Sequence, residues 1–226
     1  LCRRFFMRTR CDKIFYLIFD LIPREKAISR FHIRNRELMD QALARGNGCF
    51  VAMAHHGAHH VVGMLMALTG YLPAAVRDPK EGGMRQYVQS LYDQRYPEFR
   101  RMRIISATAF PREIFRGFQE NRPLGAALDV YRKRDDGKRT VSVDLFGQER
   151  ECVVGTLQIA LRCGAGVVQG FVISEPDFHY RLDLLGPLVP DPQPPESPEL
   201  LQSVMDQYAV NLERYVRQYP DHISRA

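Results

Sequence analysis

Gly48-Cys49-Phe50-Val51-Ala52-Met53-Ala54, followed at once by His55-His56-Gly57-Ala58-His59-His60 and then by Val61-Val62-Gly63-Met64, is the stretch that decides the fold. Seven residues without a polar side chain do not alternate as a half-buried strand would. They read as a strand covered on both faces, the habit of a parallel sheet. Gly46-Asn47-Gly48 marks where it begins. Leu65, Leu68 and Tyr71 continue with helical spacing, which puts the four histidines on a strand-to-helix turn. In open α/β sheets, ligands bind in the crevice beyond the carboxyl ends of the strands. Imidazole, with an unperturbed pKa of about 6.5, suits a general base there.

Working outward, the same form recurs. Ala74-Ala75-Val76-Arg77 is a short strand closing on a cation, and Pro123-Leu124-Gly125-Ala126-Ala127-Leu128-Asp129 closes on a carboxylate. The prediction is an α/β fold, a single domain over residues 1–226. Its mostly parallel central sheet, flanked by helices, includes strands near 48–54, 74–77, 104–106, 124–129 and 167–173. Residues 181–185 alternate as a further, half-buried strand. Helices are expected over 24–45, 82–96, 111–121, 156–162 and 198–219. A polar loop spans 132–139, and the six prolines between Pro187 and Pro198 make a linker-like loop. His55, Arg77 and Asp129 each close a strand running the same way, so one crevice should hold all three.

The chain of 226 residues is 45% apolar and 26% charged, ordinary for a globular protein with a substantial core. A net charge of +6 suggests an anionic partner. Nucleic acid is excluded as that partner, because the basic residues are dispersed and no recognised motif accompanies them. Five cysteines without paired spacing indicate a reducing compartment. The run Ile14-Phe15-Tyr16-Leu17-Ile18-Phe19 is too short to cross a bilayer. Residues 1–23 have a basic amphipathic composition that suits either a membrane interface or a helix packed on the core. The run Arg100-Arg101-Met102-Arg103 reads as a solvated edge or as a contact for an acidic carrier or phosphorylated headgroup.

The His55 turn resembles that of the lauroyl and myristoyl acyltransferases of lipid A assembly, within the lysophospholipid acyltransferase-like superfamily. In them an apolar strand ends in His, a large residue, Gly, Asn, Trp and Glu. His55 matches the family's base, Gly57 its glycine, and His60 falls where the partner carboxylate stands. Arg77 matches a substrate-site arginine and Asp129 a strand-end aspartate, while Phe146-Gly147 resembles the step before the acyl-chain region. The resemblance runs from about residue 30 to 222.

That resemblance implies a glycerolipid-acyltransferase-like fold and an enzyme of lipid biosynthesis that needs no cofactor. The donor would be an acyl-carrier-protein or coenzyme A thioester, and the acceptor a hydroxyl or amine of a lipid-like amphiphile. The location would be cytoplasmic, peripheral to the inner face of the cytoplasmic membrane. His55 and His60 would be catalytic, with Arg77, Asp129, Gly57, Phe146 and Gly147 contacting substrate. Because a neutral imidazole at position 60 brings no negative charge to an imidazolium at His55, either transfer is weak or another acid substitutes, Asp129 first.

Three other readings compete. His55 with His59, and His56 with His60, are spaced four apart, which suits a zinc site completed by Asp129. A noncatalytic homologue that binds acyl chains is the second. Histidines that merely fill a helix start are the third.

Overall fold

The computed structural model describes residues 1–77, 83–106, 111–129 and 139–223; the polar loop read over 132–139 falls outside them except for Arg139. Nine strands are described: β1 (Phe31–Arg34), β2 (Cys49–Met53), β3 (Ala74–Arg77), β4 (Arg103–Ser106), β5 (Pro123–Ala127), β6 (Thr140–Leu145), β7 (Gln148–Val153), β8 (Gly166–Glu175) and β9 (His179–Leu185). Seven form one sheet in the order β1-β9-β8-β2-β5-β3-β4, while β6 and β7 make a separate hairpin. Within the large sheet only the β8–β9 pair is antiparallel.

β2 is the middle strand, and all five of its residues are buried. Cys49, Val51 and Met53 enter one core, with Phe15, Met39, Met64, Leu65 and Tyr92. Phe50, Ala52 and Ala54 enter the other, with Phe118, Leu157, Val204 and Tyr208. A strand with a core on each face has no solvated side to make polar, and that explains its unbroken apolar run.

The first core is closed by α1 (Cys2–Ile18), α2 (Arg24–Ser29), α3 (Arg36–Ala44), α4 (His59–Leu68) and α5 (Gly83–Arg95). The second is closed by α6 (Pro111–Gln119), α7 (Gly155–Arg162) and α8 (Pro198–Gln218). α8 starts where its sequence says it should. Pro198 occupies the first turn, and the Ser197 hydroxyl accepts from the Leu200 N–H.

The structure corrects the single helix expected over 24–45. Phe31 to Arg34 is an edge strand, parallel to β9 from Tyr180 to Asp183. The local signal is the alternation of Phe31 and Ile33 with His32 and Arg34, which a helix prediction passes over. Tertiary bonds then hold the break. Arg34 pairs at 2.9 Å with the fully buried Asp183, and Asn35 takes a left-handed conformation (φ 57°) while its amide donates to the Leu184 carbonyl. Asn is among the few residues that tolerate that conformation.

Candidate active site

β2 and β5 pair in parallel register from Cys49 opposite Pro123 to Met53 opposite Ala127. Two residues beyond that last pair, one strand arrives at His55 and the other at Asp129. Neighbouring strands lie about 4.8 Å apart, so equal overhangs leave the two side chains in reach of each other. Asp129 Oδ1 is 2.9 Å from His55 Nδ1, and Asp129 Oδ2 accepts the backbone N–H of His55 at 2.8 Å. One carboxylate thus holds both the ring and the main chain of the same residue. The bridge is braced from beneath, where the Met53 carbonyl accepts from the Leu128 N–H and from the hydroxyl of Tyr208, a fully buried residue of α8.

The His55 side chain is about three-quarters buried. Its pKa is raised, because the hydrogen bond and charge of Asp129 outweigh the burial that lowers it. In the neutral ring, an N–H at Nδ1 donated to Asp129 leaves the lone pair on Nε2. That is the tautomer a base needs.

The other histidines differ in surroundings. His56 is buried, its Nε2 lies 3.1 Å from the Tyr219 carbonyl, and its ring stacks on His222 with centroids 5.6 Å apart. Burial, then the neighbouring His222, pushes its pKa down to about 4. His59 opens α4 and presents its ring edge to His55 at 5.2 Å between centroids. His60 meets Tyr16 of α1 and the ring of His59. The carboxylate that bonds His55 therefore comes from the end of β5, while position 60 lies against α1.

Gly57 has a steric cause. Its φ is +71°, and a Cβ there would lie 1.6 Å from the Val172 carbonyl oxygen. Its N–H donates to the carbonyl of His222, so the amide serves the closing segment of the chain. Arg77 ends β3, whose carboxyl end lies on the same sheet edge as those of β2 and β5; its side chain lies outside the described residues.

Phe146 and Gly147, both with positive φ, form the turn of the β6–β7 hairpin. This hairpin is tied to α8, for the Phe146 N–H donates to Glu213 and the Arg217 guanidinium covers its ring. The basic run is partly consumed within the fold. Arg103 pairs with Glu113 and Glu120, and Arg100 donates to the Asp93 carbonyl.

Sequence reasoning did not single out Tyr208, Tyr219 or His222 as supports of the turn. They lie more than 150 residues along the chain from it, and no local pattern marks them. Among the described residues, no group of three His, Cys, Asp or Glu could hold a metal ion. Among the same residues no helix is long and apolar enough to cross a membrane.

A strand-end histidine held by a carboxylate, at the ligand-binding edge of an α/β sheet, defines a candidate for base-catalysed group transfer. The chain belongs to the bacterial lipid A biosynthesis acyltransferase family, whose model matches residues 13–221. Membership implies an acyltransferase with an acyl donor and a lipid acceptor. No curated protein matches the chain.

Proposed function

We propose that this protein transfers a fatty acyl group from an acyl-carrier-protein or coenzyme A thioester to a hydroxyl or amine of an amphiphilic acceptor, with His55 as general base and Asp129 as its partner. The observation that carries the reading is the pair of hydrogen bonds between Asp129 and His55, one to the ring and one to the main chain. His55 Nε2 takes the acceptor's proton as the acceptor oxygen or nitrogen attacks the thioester carbonyl. Asp129 stabilises the imidazolium that forms. As the tetrahedral intermediate collapses, the C–S bond breaks and the imidazolium returns the proton to the departing thiolate. No acyl-enzyme is required.

The developing oxyanion would face the N-terminal end of α4, where the helix dipole favours negative charge. Arg77, at the end of the second strand over, supplies a cation for the donor or the oxyanion. The test is thiol release from acyl-coenzyme A and acyl-carrier protein with a lipid A precursor as acceptor. His55→Ala should reduce transfer to background. Unchanged turnover in that variant would end the assignment of His55 as base.

A further inference from the structure

The His55 turn is fastened from a distance. β2 ends at Met53 and α4 starts at His59, and the cap position before that helix is Ala58, which has no side-chain oxygen to bond the first-turn N–H groups. Asp129 holds His55. His56 and Gly57 are held by residues 219–223, which follow α8. The Tyr219 carbonyl, which can only accept, lies 3.1 Å from His56 Nε2, so that nitrogen carries the ring proton. The main chain of His56 bridges Ile223 in antiparallel fashion, and the Gly57 N–H donates to the His222 carbonyl.

The segment is fixed in its turn by the buried side chain of His222. The Ser174 N–H of β8 lies 3.1 Å from His222 Nε2. A main-chain N–H only donates, so the neutral ring accepts there and carries its own proton on Nδ1, 3.3 Å from an Asp221 carboxylate oxygen. Three further bonds close a circuit around this contact. The Ser174 hydroxyl donates to Asp12 at 3.1 Å, and Arg8 pairs with the same carboxylate at 2.9 Å. Arg8 Nε then donates to the Asp221 carbonyl at 2.7 Å. Asp12 is 3% exposed and His222 5%, so water does not compete for these bonds.

We infer that residues 219–223 form a strap that positions the His55 turn, and that His222 is the positioning residue whose imidazole latches the strap to β8. Without the ring, Ser174 loses its acceptor and the His222 carbonyl is no longer held opposite the Gly57 N–H. Gly57 is two residues from His55, so slack there reaches the contact of His55 Nδ1 with Asp129. The inference deepens the acyl-transfer reading and rests on it only for the reaction that His55 carries out.

The experiment compares His222→Gln with His222→Asn and His222→Ala in the full chain. The Gln oxygen reaches the place of Nε2 and can accept from Ser174, the Asn oxygen stops near the place of Nδ1, and Ala has no acceptor. Circular dichroism checks that each variant is folded. The first readout is the titration of His55, followed by nuclear magnetic resonance of isotope-labelled histidine and assigned among the seven histidines by its loss in His55→Ala. The hydrogen bond to Asp129 is the main cause that raises this pKa. A slack turn should therefore bring it down in His222→Ala and His222→Asn, while His222→Gln should titrate like the wild type. The second readout is thiol release. In the Ala and Asn variants kcat should fall on the order of a hundredfold, the cost of a misplacement of about 1 Å, with KM changed less than about threefold. The acid limb of kcat/KM should move to lower pH in both, and His222→Gln should restore the wild-type values.

The titration needs no substrate, which separates the two possible failures. No transfer by the wild type, or unchanged kcat while the titration moves, would count against His55 as base and leave the strap standing. An unmoved His55 titration in His222→Ala and His222→Asn would overturn the strap, as would a His222→Gln variant that loses as much as His222→Ala. Loss of the fold in both the Ala and Asn variants would overturn it too, since His222 would then hold the core rather than the turn.

Discussion

Asp129→Asn tests the site with little change of shape. Asp129 accepts two hydrogen bonds from His55, one from the main-chain N–H and one from the ring. An amide has only one oxygen to offer. The main-chain N–H is a donor that cannot reverse, so the amide oxygen should face it and the amide nitrogen should face Nδ1. That nitrogen donates, which forces the ring proton onto Nε2 and removes the lone pair that takes the acceptor's proton. The equivalent change in a serine-protease triad, wrong tautomer in an intact frame, costs about 10⁴ in turnover. A loss of 10³- to 10⁴-fold is expected here, with a stability cost of about 1–2 kcal/mol for the altered hydrogen bonds.

The pH profile carries a second signature of the same variant. Asp129 is the main cause that raises the His55 pKa, and burial opposes it. Because the base acts neutral, wild-type kcat/KM should rise with pH through a value above the usual 6.5 of histidine. In Asp129→Asn the raising cause is gone and burial remains, so the residual activity should have its acid limb at lower pH. Steady-state thiol release across the pH range reads both quantities. A loss under about tenfold with an unmoved acid limb would refute the role given to Asp129. As a control, His60→Glu in the Asp129→Asn background should restore little, because position 60 lies beside Tyr16 of α1.

Acid should destabilise the fold through His56. Its native pKa of about 4 lies below the ordinary 6.5, so the unfolded chain takes the proton first. The stability is full above about 6.5 and falls as pH drops towards 4, by about 3 kcal/mol for this group, with His222 shifted in the same direction. His55, with its pKa raised, works in the opposite sense: its contribution is present below the unfolded value and is lost as pH rises through the folded one. Urea titrations at neutral and mildly acidic pH should therefore show a smaller acid loss in His56→Asn than in the wild type; equal losses would rule out His56 as the source. Gly57→Ala should cost about 3 kcal/mol or more, read as a shift in urea midpoint, since the new Cβ meets the Val172 carbonyl and φ is +71°.

Much of the sheet was legible because buried parallel strands announce themselves as apolar runs. The stretch expected at 74–77 is β3, and the expectations near 48–54, 104–106, 124–129 and 167–173 overlap β2, β4, β5 and β8 with ends a few residues off. The three strands left unread share a different character. β1 is a four-residue edge strand, and β6 and β7 pair only with each other, β7 from Gln148 to Val153 being mostly exposed and polar. None has a core on both faces, so none leaves an unbroken apolar run. Their partners decide them, and partners at β9 or β6 do not show in a local window. The same holds for the supports of the His55 turn, which reach it from α8 and from the segment after it.

His55 and Asp129 can each be found as titratable ends of apolar strands, and the sequence marks Asp129 as the first candidate for a substitute acid; that the two bond directly, ring and main chain together, depends on register. Read by resemblance alone, the carboxylate belongs at position 60, one residue into α4. The sheet supplies it by another route. With β2 and β5 parallel and paired residue for residue at a constant offset of 74, any two side chains at that offset just past the strand ends emerge level and one strand spacing apart. His55 and Asp129 have that offset. A slip of one residue in either strand would turn one side chain to the opposite face of the sheet and break the pair. The pair is thus fixed by the same hydrogen bonds that hold the middle of the sheet, and α4 is free to carry a histidine where the family has an acid. Loosening the β2–β5 pairing, for instance by Gly125→Pro, should therefore abolish activity together with the fold, whereas substitutions at position 60 should leave His55 and Asp129 bonded.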